Sequence, residues 1–275
     1  MRRDCTAQVL AVSKTDRGSR NVMILYRYYR PERVDVLENR TIVLSRPKVF
    51  NDPFEFSPTF EFVADPEAAA EALAQRDGVP VDDKLRETAR ELMARPSVRA
   101  LNLERLTDEF VVYTLSETKD SVVMWAHYAD CHRGFQIGFY GAPKRMFYRS
   151  DGSQRLFQVS YQADRPTAQT LIQLSKRDLF FTKSIEWEYE REWRLVDSLY
   201  HADGPALDED GNCWPFALPA EAMFSVTFGC RTSNATKARI MKALDQSGFQ
   251  HVKIYQARVH DRHFRIEIIP VRMPA

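Results

Sequence analysis

DSVVMWAHYADCHRGFQIGFY, residues 120–140, sets both kinds of regular structure side by side. Residues 120–129 read as a helix, Gly134 ends the turn that follows, and FQIGFY (135–140) alternates as a strand does. Further out, short strands and helices follow one another irregularly rather than in strict strand–helix alternation. That order favours an α+β fold over a doubly wound parallel sheet.

Upstream, VMILYRYY (22–29) is rich enough in aromatic and aliphatic residues for a strand, which Pro31 ends. Val34, Val36 and Leu37 suggest a short helix, and TIVLS (41–45) and VVYTLS (111–116) read as further strands. Between them RPKVFNDPFEFSPTFEF (46–62) carries Pro47, Pro53 and Pro58, which forbid a regular helix and predict a structured loop. Asp65-Pro66-Glu67 opens a helical insertion over 65–109. Its first helix is stopped at Gly78, its second is capped by Asp82 or Asp83, and its third spans 97–108.

Downstream, LFQVSY (156–161) is strand-like, 167–182 is expected to be helical, and EWRLV (192–196) is a strand. A polar loop (201–212) precedes the strand FSVTFG (224–229). Ser233 then caps a helix to about Gln246, closed by Gly248, and strands over 251–258 and 264–269 follow. Residues 1–21 read as a loosely held arm and 22–275 as a single domain.

The chain has 275 residues, with 39 Lys and Arg against 38 Asp and Glu. A chain of this length buries roughly 75% of its unfolded surface, so no disulfide or metal staple is required. Near-neutrality argues against a dedicated nucleic-acid binder, whose affinity comes from neutralised phosphates. No apolar run is long enough to span a membrane or to act as a secretory signal, which predicts a cytoplasmic protein. Cys5, Cys131, Cys213 and Cys230 are scattered, and His260 and His263 have no completing ligand at motif spacing, so no metal site is expected. No glycine fingerprint of a dinucleotide fold, no P-loop and no nucleophile elbow is present.

Four clusters mix polar groups with aromatics. In Tyr26-Arg27-Tyr28-Tyr29 an arginine fork could meet a phosphate or carboxylate, or form a surface salt bridge. In FNDPFEF (50–56), Asn51 and Asp52 can hold a turn through side-chain bonds to the backbone, while Asp52 or Glu55 could serve a ligand. On the 120–129 helix Trp125 and Tyr128 share a face that suits either packing or an aromatic ring, with His127 off that stripe. The densest is EWEYEREWR (186–194). If 190–194 is extended, Glu190, Glu192 and Arg194 point to one side, with Arg191 and Trp193 on the other. Two such carboxylates raise one another's pKa and suit stabilising a developing cation, unless Arg194 makes the whole a salt-bridge ladder.

LYRYY with the following LS, FNDPFEF, MWAHYADCHRGFQIGF, K-x3-W-x-YEREWRLV and VTFGCR together resemble the bacterial domain of unknown function 2971, over about residues 22–231. Their order is in turn remotely similar to that of ADP-ribosyltransferases, although no Ser-Thr-Ser triplet marks the middle strand. The resemblance implies a mixed, split β-sheet core and NAD as substrate. Arg27 would bind the pyrophosphate or ribose, and Tyr128 or Trp125 would stack on nicotinamide. Glu192 would hold the ribose 2′-hydroxyl and stabilise an oxocarbenium-like transition state, while Glu190 would orient the acceptor. Tyr28, Asn51, Asp52, His127 and Arg194 complete the expected cofactor-binding set. The implied partners are a small nucleotide ligand and an acceptor macromolecule, and the implied setting is a toxin or phage-defence effector. Two other readings stay open: a nucleotide or nucleic-acid binding module without turnover, and a nuclease with Mg²⁺ held among Asp52, Glu55, Glu190 and Glu192.

Overall fold

A computed structural model describes residues 23–60, 66–94, 107–141, 154–168, 175–245 and 248–271. The first half of the chain forms β1 (Ile24–Tyr29), α1 (Asp35–Glu38), β2 (Thr41–Ser45), β3 (Thr59–Phe60), α2 (Pro66–Asp77), α3 (Asp83–Ala94), β4 (Phe110–Ser116), α4 (Val122–Tyr128) and β5 (Phe135–Tyr140). The second half forms β6 (Leu156–Gln158), β7 (Ser160–Gln162), β8 (Thr167–Ala168), α5 (Lys176–Phe180), β9 (Thr182–Ser184), β10 (Glu192–Ser198), β11 (Cys213–Ala217), β12 (Met223–Phe228), α6 (Asn234–Leu244), β13 (Lys253–Val259) and β14 (Ile266–Pro270). Among the described residues no helix is long and apolar enough to cross a membrane.

The centre is one ten-stranded mixed sheet. Its main path runs β11-β2-β4-β1-β5-β12-β13-β14, and β10 and β6 continue from β4. The β12–β13 pair is parallel and its other pairs are antiparallel. Pairing strength is uneven. β1 pairs β5 along its whole length, and β10 pairs β4 at seven positions from Glu192–Ser116 to Ser198–Phe110. By contrast β1 meets β4 only at Tyr26–Ser116, and β2 meets β4 only at Ser45–Val112. β4 therefore shares a long ladder with β10 and a single ladder position with β1 and with β2.

Leu25, Leu44, Tyr113, Ile137, Phe139 and Val226 anchor the main core. A second cluster packs α4 onto the β1 and β13–β14 surface through Tyr28, Met124, Trp125, Ala257 and Ile266. Ser121 caps α4 by accepting from the Met124 N–H. The chain then reverses through Asp130, Cys131 and His132, all at positive φ. Gly134 follows at a place only glycine can occupy: a Cβ there would lie 1.9 Å from the Tyr29 carbonyl oxygen.

Three local expectations are corrected. The strand over 156–161 is two strands broken at Val159, whose N–H donates to the Glu192 carbonyl, so β6 joins β10 while β7 pairs with β9. The helix over 167–182 reduces to α5, capped by Ser175 and ended by a non-helical Phe181; Thr167–Ala168 and Thr182–Ser184 are extended instead. Residues 169–174 of that expectation, the arm 1–21, the Asp65 cap and most of the helix over 97–108 lie outside the described residues. β11 is a strand the pattern did not announce, because Pro215 interrupts it. Proline is admissible there because β11 ends the sheet path and has one ladder to satisfy.

Candidate functional site

A cleft of about 590 Å³ opens where β1 and β4 part. One wall is β1 and the residues after it. Arg27 reaches across the divergence and donates through Nη1 to the Thr114 carbonyl and to Thr114 Oγ1, each at 2.6 Å. Its guanidinium lies 4.3 Å from the centroid of the Tyr113 ring. Tyr113 and Tyr29 are hydrogen-bonded through their hydroxyls, and burial pushes both phenols up. Among the described residues Arg27 has no carboxylate partner. Arg30 and Arg33 extend this wall, with Arg33 Nε held 2.9 Å from Asp35.

The opposite wall carries the acids. The expectation that 190–194 is one extended run is corrected: Ile185–Glu190 form a 3₁₀ turn, Arg191 sits at φ 45°, and β10 begins only at Glu192. The left-handed residue turns the chain between the two glutamates, so pleat alternation does not align them. Lys183, on β9, does so instead. Its Nζ lies 2.7 Å from Glu190 Oε2, 3.1 Å from Glu192 Oε2 and 2.9 Å from Glu55 Oε1. Trp187 covers the same ammonium at 4.7 Å. Glu192 also accepts from Arg194 Nε at 2.7 Å, and Arg194 Nη2 reaches Glu55 at 2.6 Å. Tyr128 donates to Glu190 Oε1 at 2.5 Å. Arg191 and Trp193 turn the other way, and both bind Glu117.

Three carboxylates and two cations are thus buried as one cluster, with every side chain at most 5% exposed. Burial alone would push Glu192 up, yet Arg194 and Lys183 hold its carboxyl below the ordinary value. Burial pushes Glu55 up, and neighbouring Glu192 adds to that against the pull of Arg194 and Lys183. Burial would lower the Lys183 ammonium, but Glu192, Glu55 and Glu190 hold it well above its usual range. The Tyr128 phenol is raised by burial and by Glu190, so it stays a hydrogen-bond donor at any physiological pH.

Arg27, Tyr28, Asn51, His127, Tyr128, Glu190 and Glu192, singled out in the sequence, all line this one cleft. Three others do not form its wall. Trp125 is completely buried, donates to the Lys119 carbonyl and packs edge-on against Tyr28, which leaves no ring face for a ligand. Asp52 is buried in its turn, where Oδ1 accepts from the Phe54 N–H. Arg194 is fully buried beneath Glu192. The residues that were overlooked are Lys183, Trp187, Arg30 and Arg33. Lys183 and Trp187 are the K and W of K-x3-W-x-YEREWRLV, so the signal was present in the block itself. The carboxylates weighed as metal ligands, Glu55, Glu190 and Glu192, converge on the Lys183 ammonium. Among the described residues no group of three or more His, Cys, Asp or Glu could hold a metal ion.

Residues 124–195 match the family model described as Protein of unknown function (DUF2971). The matched segment runs from α4 to the middle of β10 and includes Tyr128, Lys183, Glu190, Glu192 and Arg194. No curated protein and no solved structure matches the chain.

Proposed function

We propose that the cleft binds NAD and cleaves its nicotinamide–ribose bond, as an ADP-ribosyltransferase-like enzyme with a split-sheet core. One observation carries this reading: a wall of arginines, Arg27, Arg30 and Arg33, faces a wall bearing Glu190 and Glu192 within a single cleft. A pyrophosphate needs the first wall and a ribose that develops positive charge needs the second. The volume, about 590 Å³, falls within the range of small-molecule sites.

In this reading Arg27 offers the phosphates those N–H groups that Thr114 leaves unused. Tyr128 and Trp187 flank the nicotinamide. Glu192, kept ionised by Arg194 and Lys183, holds the ribose 2′-hydroxyl and stabilises the oxocarbenium-like transition state. Glu190, tethered more lightly through Tyr128 and Lys183, faces the acceptor. Purified protein mixed with NAD should release nicotinamide or label an acceptor, and Glu192→Gln should lower that rate by roughly a hundredfold or more. Absence of NAD binding at millimolar concentration sinks the proposal.

One feature favours a second reading, a nucleotide-binding module without turnover: both acids are already engaged by cations. In that case Glu192→Gln leaves NAD affinity nearly intact and no nicotinamide appears with either protein.

A further inference from the structure

Within the cluster the two cations are not equivalent. Arg194 lies beneath the cleft and touches Glu192 and Glu55, the pair that is set by strand register and by the FNDPFEF turn. Glu190 stands on a different element, the 3₁₀ turn, separated from Glu192 by the left-handed Arg191. Among the described residues no arginine reaches it. The groups holding its carboxylate are Tyr128 and Lys183, and of these Lys183 alone also binds Glu192. Lys183 is itself part of the cleft wall.

We propose that Lys183 is the positioning residue that makes Glu190 and Glu192 a pair, with Glu55 as the buried counter-anion that fixes its ammonium. This rests on the reading of the cleft given above. Two carboxylates facing one cavity in a low-dielectric setting repel each other, and without a shared cation they separate or take up a proton. The 3₁₀ turn holds to β4 by its backbone, where the Glu190 carbonyl accepts from Ser116 Oγ and the Arg191 carbonyl from the Glu117 N–H, and this leaves the Glu190 side chain to be fixed by its own partners. Lys183 prevents both outcomes. Counted formally, three carboxylates against two cations leave one negative charge beside the cavity, the right sign for a ligand whose reacting ring becomes cationic. The groups that face the ammonium are Glu55 from the turn, Glu190 from the 3₁₀ segment, Glu192 from β10 and the ring of Trp187. Tyr128 from α4 and Tyr161 from β7 complete the surroundings, bonded to Glu190 and to the Glu192 N–H.

The test uses Lys183→Met, Lys183→Arg and the double variant Lys183→Met/Glu55→Gln. The double variant has one carboxylate and one cation fewer, so it keeps the net charge of the wild type and stays folded if the single variant does not. Carboxyl carbon NMR of glutamate-labelled protein follows the titration of Glu192, and nicotinamide release follows kcat and KM for NAD. The expected result is that both Met-bearing variants move the Glu192 titration to higher pH, because Lys183 is one of the two cations that hold it down. They should also lose kcat by roughly a hundredfold, with KM changed by less than about threefold. Lys183→Arg should restore most of both. If the double variant titrates and turns over like the wild type, Lys183 merely balances charge and the proposal falls. If the wild type binds no NAD, the reading of the cleft falls, yet an unmoved Glu192 titration in the Met variants would still refute the role of Lys183.

Discussion

Two arginines of this protein make nearly the same bonds in opposite surroundings. Arg86, joining α3 to α2, donates to Glu67 at 2.6 and 2.7 Å and to Asp83 at 2.9 Å. Arg194 donates to Glu192 at 2.7 Å and to Glu55 at 2.6 Å. Arg86 and Glu67 keep 31% and 49% of their side chains exposed, whereas Arg194 and Glu192 keep 0% and 4%. Distance therefore says little about what each pair does. Water screens the first set and competes for it, so it contributes little to stability. The second set has exchanged hydration for partners, and each member depends on the others being present.

The comparison breaks most visibly if Arg194 is removed. Arg194→Met leaves Glu55 and Glu192 with Lys183 alone and should cost about 3–5 kcal/mol, read as a lower urea midpoint at unchanged slope. A loss below about 1 kcal/mol would show the cluster to be as weakly coupled as a surface pair.

A smaller effect follows from pH. Glu192 is depressed in the folded protein, so its contribution is present above the unfolded glutamate value, near 4.3, and is lost as pH falls through its lower folded value. Glu55 is raised, so its contribution is present below that unfolded value and is lost as pH rises through its folded one. Glu192→Gln should accordingly flatten the acid limb of a stability–pH profile, and Glu55→Gln the stretch just above the ordinary carboxylate value. Identical profiles for the two variants would contradict the opposite signs. The smallest effect belongs to Arg86→Ala, for which thermal unfolding should be unchanged within error. A clear drop there would mean that the α2–α3 pair depends on its salt bridge rather than on packing.

The same contrast explains what could be read in advance. Strands such as TIVLS and FQIGFY and the Ser121 and Ser233 caps are local, since side-chain period and capping need only neighbouring residues. The cleft was legible in part, because residues that mix charge with aromatics stand out against an apolar core. Three features hid the rest. Pro215 masked an edge strand whose acceptability depends on its place in the sheet. Trp125 looked available for stacking because burial against β13 and β14 is a long-range fact. Lys183 directly follows the expected 167–182 helix with no neighbour in sequence to mark it, since Glu55, Glu190 and Glu192 meet its ammonium only through the tertiary fold.

The single Tyr26–Ser116 register pair also has a mechanical meaning. A ladder of many rungs resists sliding and splaying alike, whereas one rung leaves that task to side chains. The β1–β5 and β4–β10 ladders are long, and between them stand one register pair, the Arg27 bonds to Thr114 and the Tyr29–Tyr113 hydroxyl bond. Across that joint side chains do what rungs do elsewhere, tying the arginine wall to β4 while long ladders hold the sheet on either side.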